Sequence, residues 1–419
     1  MTSRLGATDL PHRAYIEALA DAPEGSPAWH AIVAGYAALQ LFECWIDGGL
    51  GTTPPSMLEM QRIWRYIVAV PETRIERRCL TQLVDSIVVA STQDIGERRA
   101  DVARAVACYA RLLQYDAQWG LAADVHGALI DFARCADDTL RLLDSMLMRG
   151  YSLRMAGRLD EASAVYAALR CAAEQANNER YRLESHLSDA KIALERGNYP
   201  AARDLLDRVI AEARDSECWV IVSKALTDRA RVAAMQGNLD LSLEYSHEAL
   251  ELSTDPLLRE RILANIALIF SQMGLREAAR DAGLLVAATA QDRTTRLHAT
   301  INLMEVAYLD ARELVFEHYR RALASQKMMP NVEVSFLQTS AEGLRRFGRI
   351  SEAQRTAERM LDVASRHEMH EHVIRAAALL DELEQPPRQA VPEAPAPSAR
   401  VARIARTIAE MRVAAGLPD

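Results

Sequence analysis

The stretch Gly157-Arg158-Leu159-Asp160-Glu161-Ala162 decides the fold, because its turn-and-restart pattern returns along the chain. It reappears as Gly197-Asn198-Tyr199-Pro200-Ala201-Ala202, Gly237-Asn238-Leu239-Asp240-Leu241-Ser242, Gly274-Leu275-Arg276-Glu277-Ala278-Ala279 and Gly348-Arg349-Ile350-Ser351-Glu352-Ala353. The first three glycines are 40 residues apart (197 − 157 and 237 − 197), the fourth follows after 37, and the fifth after 74, which is twice 37. Glycine reaches positive φ without a Cβ clash and so ends one helix, while the Asp, Ser or Pro soon after it starts the next as a cap or first-turn residue. Each phrase therefore predicts two antiparallel helices, whose apolar face is stable only when a neighbouring pair stacks on it. One repeat lacks its glycine: Leu309-Asp310-Ala311-Arg312-Glu313-Leu314-Val315 stands in its place. Asp310 is expected to adopt the left-handed conformation there, which aspartate tolerates better than most residues.

A chain of 419 residues exceeds one compact domain, so it must contain several domains or grow by repetition. Hydrophobic residues at 50% with aromatics at only 5% make an alanine- and leucine-rich, helix-forming mixture, and no stretch alternates long enough to read as a sheet. Roughly four-fifths helix is expected. The net charge of −9 argues against a protein that neutralises phosphates, so no nucleic-acid partner is expected. Cys44, Cys79, Cys108, Cys135, Cys171 and Cys218 include no C-x-x-C pair, so they read as buried, reduced thiols rather than zinc ligands or a disulfide framework. No run approaches the ~18 apolar residues of a membrane span, and residues 1–10 carry no signal-like apolar core, so a cytoplasmic location is expected.

The segment from Ala307-Tyr308-Leu309 to Tyr319-Arg320-Arg321-Ala322-Leu323 resembles the second-helix pattern of the tetratricopeptide repeat family, with Tyr319 and Ala322 at its large and small packing positions. Gly150, seven before Gly157, and Ala190, Ala230 and Ala267 at the same offset fall where that family has a small residue in its first helix. The resemblance covers residues 140 to 384 and is closest to long-period bacterial regulatory members. It implies an all-α solenoid, a superhelix of antiparallel helix pairs. The corresponding organisation is an N-terminal helical region of degenerate, capping repeats (1–136), an array of six repeats (137–384), a Pro/Ala-rich linker (385–398) and a C-terminal basic amphipathic helix (399–419).

In the N-terminal region helices are expected near 10–21, 26–47, 56–69, 73–92, 98–118 and 120–135, with Trp29, Trp45, Trp64 and Trp119 filling a core. Gly48-Gly49-Leu50-Gly51-Thr52-Thr53 lacks the lysine of a phosphate-binding loop and reads as a connector. At the other end Val401, Ile404, Ile408 and Met411 recur at helical spacing beside Arg400, Arg403, Arg406 and Arg412. That helix has four readings: a built-in ligand folded back on the solenoid, a partner-docking element, a membrane-surface element, or a plain end cap or tail.

No chemistry is indicated. His367-Glu368-Met369-His370-Glu371-His372 lacks a histidine at 371 and so is not H-E-x-x-H, and Ser185 beside His186 lacks the G-x-S-x-G elbow. The carboxylates cluster in turns and on polar helix faces, where capping and solubility explain them. Neither a metal at His367, His370 and His372 nor any cofactor is expected, and the chain reads as a non-enzyme.

The resemblance further implies that first helices line a concave wall. Counting back from each turn places there Tyr151 and Arg154, then Glu184 and Lys191, Lys224 and Arg231, Asn265 and Gln272, followed by Asn302, Met304 and Tyr308, and lastly Gln338, Glu342 and Arg345. Lys and Arg there would hold an acidic side chain or C-terminal carboxylate, and Asn and Gln would satisfy an extended peptide backbone. The implied function is a protein- or peptide-binding scaffold or adaptor. Alternatives are a peptide-responsive regulator of the bacterial quorum-sensing receptor type, although residues 1 to 95 show no helix-turn-helix, or an enzyme-complex subunit with a site in the N-terminal half. Nothing in the residues specifies the partner or the oligomeric state.

Overall fold

Left-handed turn residues set the architecture. In a computed structural model, which describes residues 12–47, 56–92, 96–367, 369–383 and 397–417, Gly157, Gly197, Gly237, Gly274 and Gly348 all take positive φ, between 71° and 79°. Behind each, a 6→1 backbone bond closes the helix end: Arg158 N to Leu153 O at 2.9 Å is repeated as Asn198 to Ala193, Asn238 to Ala233, Leu275 to Phe270 and Arg349 to Leu344. This is the Schellman closure that a glycine after the helix end permits. The next helix begins at once, and Asn198 and Asn238 each also cap it, their side chains accepting from Ala201 N and Leu241 N.

The rhythm is finer than the glycines alone reveal. Positive φ also occurs at Ala117, Asp137, Asn177 and Glu217, so a left-handed residue falls every 20 positions from 117 to 237. Both kinds of turn, within a pair and between pairs, share one form over this span. The missing glycine is a correction to the sequence reading. Ala311, not Asp310, takes the left-handed conformation, at φ 56°, while Asp310 is the helix cap at φ −82°. Position 311 lies 37 after Gly274 and 37 before Gly348, so helix length outweighed the conformational preference of aspartate.

Twenty α-helices and no strand are present among the described residues. The chain divides into two units, residues 1–192 and 193–419, with the division inside α9. Unit 1 contains α1 (Arg13–Asp21), α2 (Pro27–Asp47), α3 (Met57–Ala69), α4 (Ile75–Thr92), α5 (Gly96–Tyr115), α6 (Trp119–Cys135), α7 (Thr139–Met155) and α8 (Leu159–Gln175), and α9 (Glu179–Glu195) begins in it. Its helices match the spans expected for residues 10–135 to within a few residues; the Gly48–Thr53 connector lies outside the described residues. Here α2 packs against both α4 and α6, and α1 closes over α2 and α6. Phe42, Trp45 and Phe132 stack at the centre, with centroid separations of 5.7 to 6.1 Å. Trp45 is the one fully buried tryptophan of the four; Trp29, Trp64 and Trp119 are half-buried.

Unit 2 contains α10 (Tyr199–Asp215), α11 (Trp219–Met235), α12 (Leu239–Leu252), α13 (Pro256–Gln272), α14 (Arg276–Thr289), α15 (Arg293–Leu309), α16 (Glu313–Ala324), α17 (Pro330–Arg346), α18 (Ile350–Arg366), α19 (His370–Leu383) and α20 (Ala399–Ala414). Consecutive helices pair, and successive first helices also touch: α11 with α13, α13 with α15, α15 with α17, and α17 with α19. Successive second helices lack comparable packing among the described residues, so the first helices form the tighter layer. The helix α20 lies on α14 and α12, against the second-helix layer.

Small residues set the helix approach where the repeat predicts them. Ala190, Ala230 and Ala267 are buried, and Gly150 sits directly beneath the ring of Tyr166. The packing positions assigned to α16 need correction. Phe316 and Leu323 form its buried stripe, Tyr319 is half-buried, and Ala322 is exposed, because the true helix start at Glu313 rotates the inward face by one residue. The cysteines form no disulfide among the described residues and are not buried: Cys44, Cys135 and Cys171 are exposed, and Cys79, Cys108 and Cys218 are half-buried. Helical periodicity puts them on or beside the solvent face, overriding the usual preference of this residue for the core. His367 ends α18 and His370 begins α19, so these two histidines share no helix face.

Candidate binding face of the first helices

The period of 37 relates positions on α15, α17 and α19. Glu305, Glu342 and Leu379 are equivalents, as are Tyr308, Arg345 and Glu382, and Gln338 and Arg375. Because the first helices touch one another, these sets converge on a cleft of about 350 Å³ lined by Tyr308, Gln338, Glu342, Arg345, Arg375, Ala378, Leu379 and Glu382. Four of them, Tyr308, Gln338, Glu342 and Arg345, are wall residues expected from sequence.

Hydrogen bonds fix the polar groups of the cleft before any ligand arrives. Glu342 accepts from the Tyr308 hydroxyl at 2.9 Å and from Gln338 Nε2 at 3.0 Å. Arg345 donates to Glu382 at 2.5 Å, and Arg375 pairs with Glu371 one turn earlier on α19. Burial, with the neighbouring Glu342 and Glu305 carboxylates, pushes the Tyr308 hydroxyl well above the ordinary tyrosine range, so it stays a donor at any physiological pH. Glu305, on the same helix, is pushed up to about 7 by burial and then by Glu342. The cleft thus offers guanidinium donors, carboxylate acceptors, an amide and a small apolar floor at Ala378 and Leu379.

The remaining expected wall residues are dispersed. In unit 1, Tyr151 meets Trp119 edge-on at 5.7 Å, and the Arg154 guanidinium lies over the Tyr151 ring at 5.3 Å. Lys191, Lys224 and Asn302 are half-buried, and Arg231, Asn265 and Gln272 are exposed. Gln272 closes α13 and borders the seam beside Pro397 and Ser398, away from the cleft. Met304 and Glu184 are buried and present no surface, because each faces inward from its helix. Sequence reasoning missed Glu305, Arg375, Leu379 and Glu382. Adding 37 to 338, 342 and 345 gives 375, 379 and 382, so the repeat itself carried the signal.

The paired helices, Schellman turns and layered packing define an all-α solenoid of antiparallel helix pairs. No protein-family model and no curated protein matches the chain. Among solved structures it is similar to NprR in complex with its cognate peptide NprX, at 13% identity and a TM-score of 0.41, over 78% of this chain and 98% of that one. It is also similar to the P58(IPK) TPR domain, at 14% identity and a TM-score of 0.23, over 81% and 99% of the two chains. A circular tandem repeat protein with novel repeat topology gives 14% identity and a TM-score of 0.17, over 94% and 100%. Among the described residues no helix is long and apolar enough to cross a membrane.

Proposed function

We propose that this protein binds a peptide or an extended segment of another protein on its first helices, acting as a scaffold or adaptor rather than as a catalyst. The observation that carries this reading is the cleft of about 350 Å³ on α15, α17 and α19, where side chains of three successive repeats meet. Arg345 and Arg375 suit a ligand carboxylate, Gln338 suits a backbone amide, and Ala378 and Leu379 accept a small apolar side chain. The internal bonds of Glu342 and Arg345 pre-organise the wall, so little side-chain entropy is lost when a ligand replaces water. Arg231, Asn265 and Asn302 extend the same reading along unit 2, with Lys224 beside them on α11.

Selection from a displayed peptide library, followed by fluorescence anisotropy on the selected peptides, tests it. Reversing both cations, Arg345→Glu with Arg375→Glu, is expected to weaken the selected peptides at least about tenfold. Undiminished binding to a variant of unchanged helicity would refute the cleft. Charge reversal at Lys191, Lys224 and Arg231 together probes the remaining basic positions in the same assay.

A further inference from the structure

The C-terminal helix α20 has the marks of a ligand rather than of a core element. Its ends are written in its own sequence: Ser398 Oγ accepts from Val401 N at 3.3 Å, and Gly416 takes a left-handed φ of 71° after the last turn. It presents one narrow apolar stripe, Val401, Ile404 and Ile408, each buried. A cation stands near each end of that stripe. Arg400 meets Glu244 on α12 at 3.1 Å, and the buried Arg412 meets Asp281 on α14 at 3.1 Å. Asp240 and Glu277 also border the seam, the latter beside Arg276. Charge complementarity at both ends fixes the direction and register of the helix, which a plain apolar cap would leave loose.

Solvent-open grooves of about 670 and 490 Å³ border the helix, the first at its N-cap beside Pro397 and Ser398 and the second along Ala402, Ala405 and Ala409. Residues 384–396, which join α19 to α20, include Pro386, Pro387, Pro392 and Pro395; 13 residues of such composition span up to ~40 Å. Contacts made by α20 in its own chain are those it would make in another copy, so effective concentration and linker stiffness decide between the two.

We propose that the α12/α14 face is a receptor groove for an arginine-ended amphipathic helix, that α20 occupies it as a tethered and detachable ligand, and that the α20 of a second copy of this chain takes its place by exchange. The groove lies on the second helices, apart from the first-helix cleft, so exchange joins two copies without occupying the proposed peptide site.

Two full-length variants test this. One carries Glu244→Arg and Asp281→Arg in the groove and keeps α20 intact; the other carries Arg400→Glu and Arg412→Asp in α20 and keeps the groove intact. Each has like charges facing each other within its own chain, whereas the α20 of the first matches the groove of the second. Light scattering after size exclusion is expected to show a one-to-one complex in the mixture, forming at least about tenfold more tightly than either variant self-associates. The chain carrying all four reversals restores the pairing internally and is expected not to join the complex. Two variants that keep wild-type helicity by circular dichroism yet stay monomeric when mixed would overturn the proposal. Equal association in the mixture and in each variant alone would also overturn it, since that places the contact on another surface.

Discussion

Gly150 on α7 lies so close under Tyr166 on α8 that a Cβ at position 150 would stand 2.3 Å from the tyrosine Cε1. Tyr166 is 1% exposed and has no room to swing away. Gly150→Ala should therefore destabilise the protein by about 1–2 kcal/mol, the overpacking cost less the helix-propensity gain of losing a glycine. Denaturant titration checks the size. Shortening the neighbour in the double variant Gly150→Ala/Tyr166→Leu should recover part of the loss, which a purely local backbone effect would not allow.

Ala311 holds a left-handed turn that five equivalent positions give to glycine. Ala311→Gly should stabilise the fold by about 1 kcal/mol by relieving the Cβ–carbonyl clash, and Gly157→Ala should cost about as much. An added Cβ at Gly157 meets nothing within 4 Å, so that cost is backbone strain alone. Paired thermal melts of the two variants read the opposite signs directly, and a destabilised Ala311→Gly would show that something other than φ governs this turn.

Both turns show how far the sequence reached. The spacing of 37 pointed at position 311, while residue preference pointed at Asp310; spacing prevailed because the helices on either side fix where the chain must reverse. The cleft was legible to the extent that it followed the same count. Tyr308, Gln338, Glu342 and Arg345 were placed by counting back from a turn phrase, whereas Arg375, Leu379 and Glu382 belong to a helix with no turn phrase of its own after it.

Glu305 gives the first-helix wall a pH dependence. Its folded-state value of about 7 lies above the ordinary 4.5, so the fold favours the neutral acid. The stability this contributes is full below 4.5, is lost as pH rises from there to about 7, and leaves the protein on the order of 3 kcal/mol less stable above that range. Glu305→Gln should abolish the change, matching wild type near pH 4 and exceeding it by about 2–3 kcal/mol at pH 8. Urea titrations at the two pH values decide it; a variant no more stable at pH 8 would mean that Glu305 is not held neutral.

Arg229 ties three helices of unit 2 together. Its guanidinium meets Asp207 on α10 at 2.8 Å and lies over the Tyr245 ring on α12 at 4.9 Å, with only 8% of the side chain exposed. Asp207→Ala should cost about 1–2 kcal/mol, less than a fully buried pair because Asp207 is half exposed. The conservative Asp207→Glu should recover much of that loss in the same unfolding assay.

By itself the sequence determined the local grammar of this protein. Where helices stop depends on which residues tolerate positive φ, and how long they run depends on the spacing between those residues, so both are properties of neighbouring positions along the chain. Tertiary structure alone decided what each face meets. The inward turn of Met304, the exposure of Cys135 and Ala322, the meeting of three repeats at one cleft and the seating of α20 on α12 and α14 depend on which helix lies opposite. That choice is made by the summed packing of residues far apart in the chain, which no local pattern records.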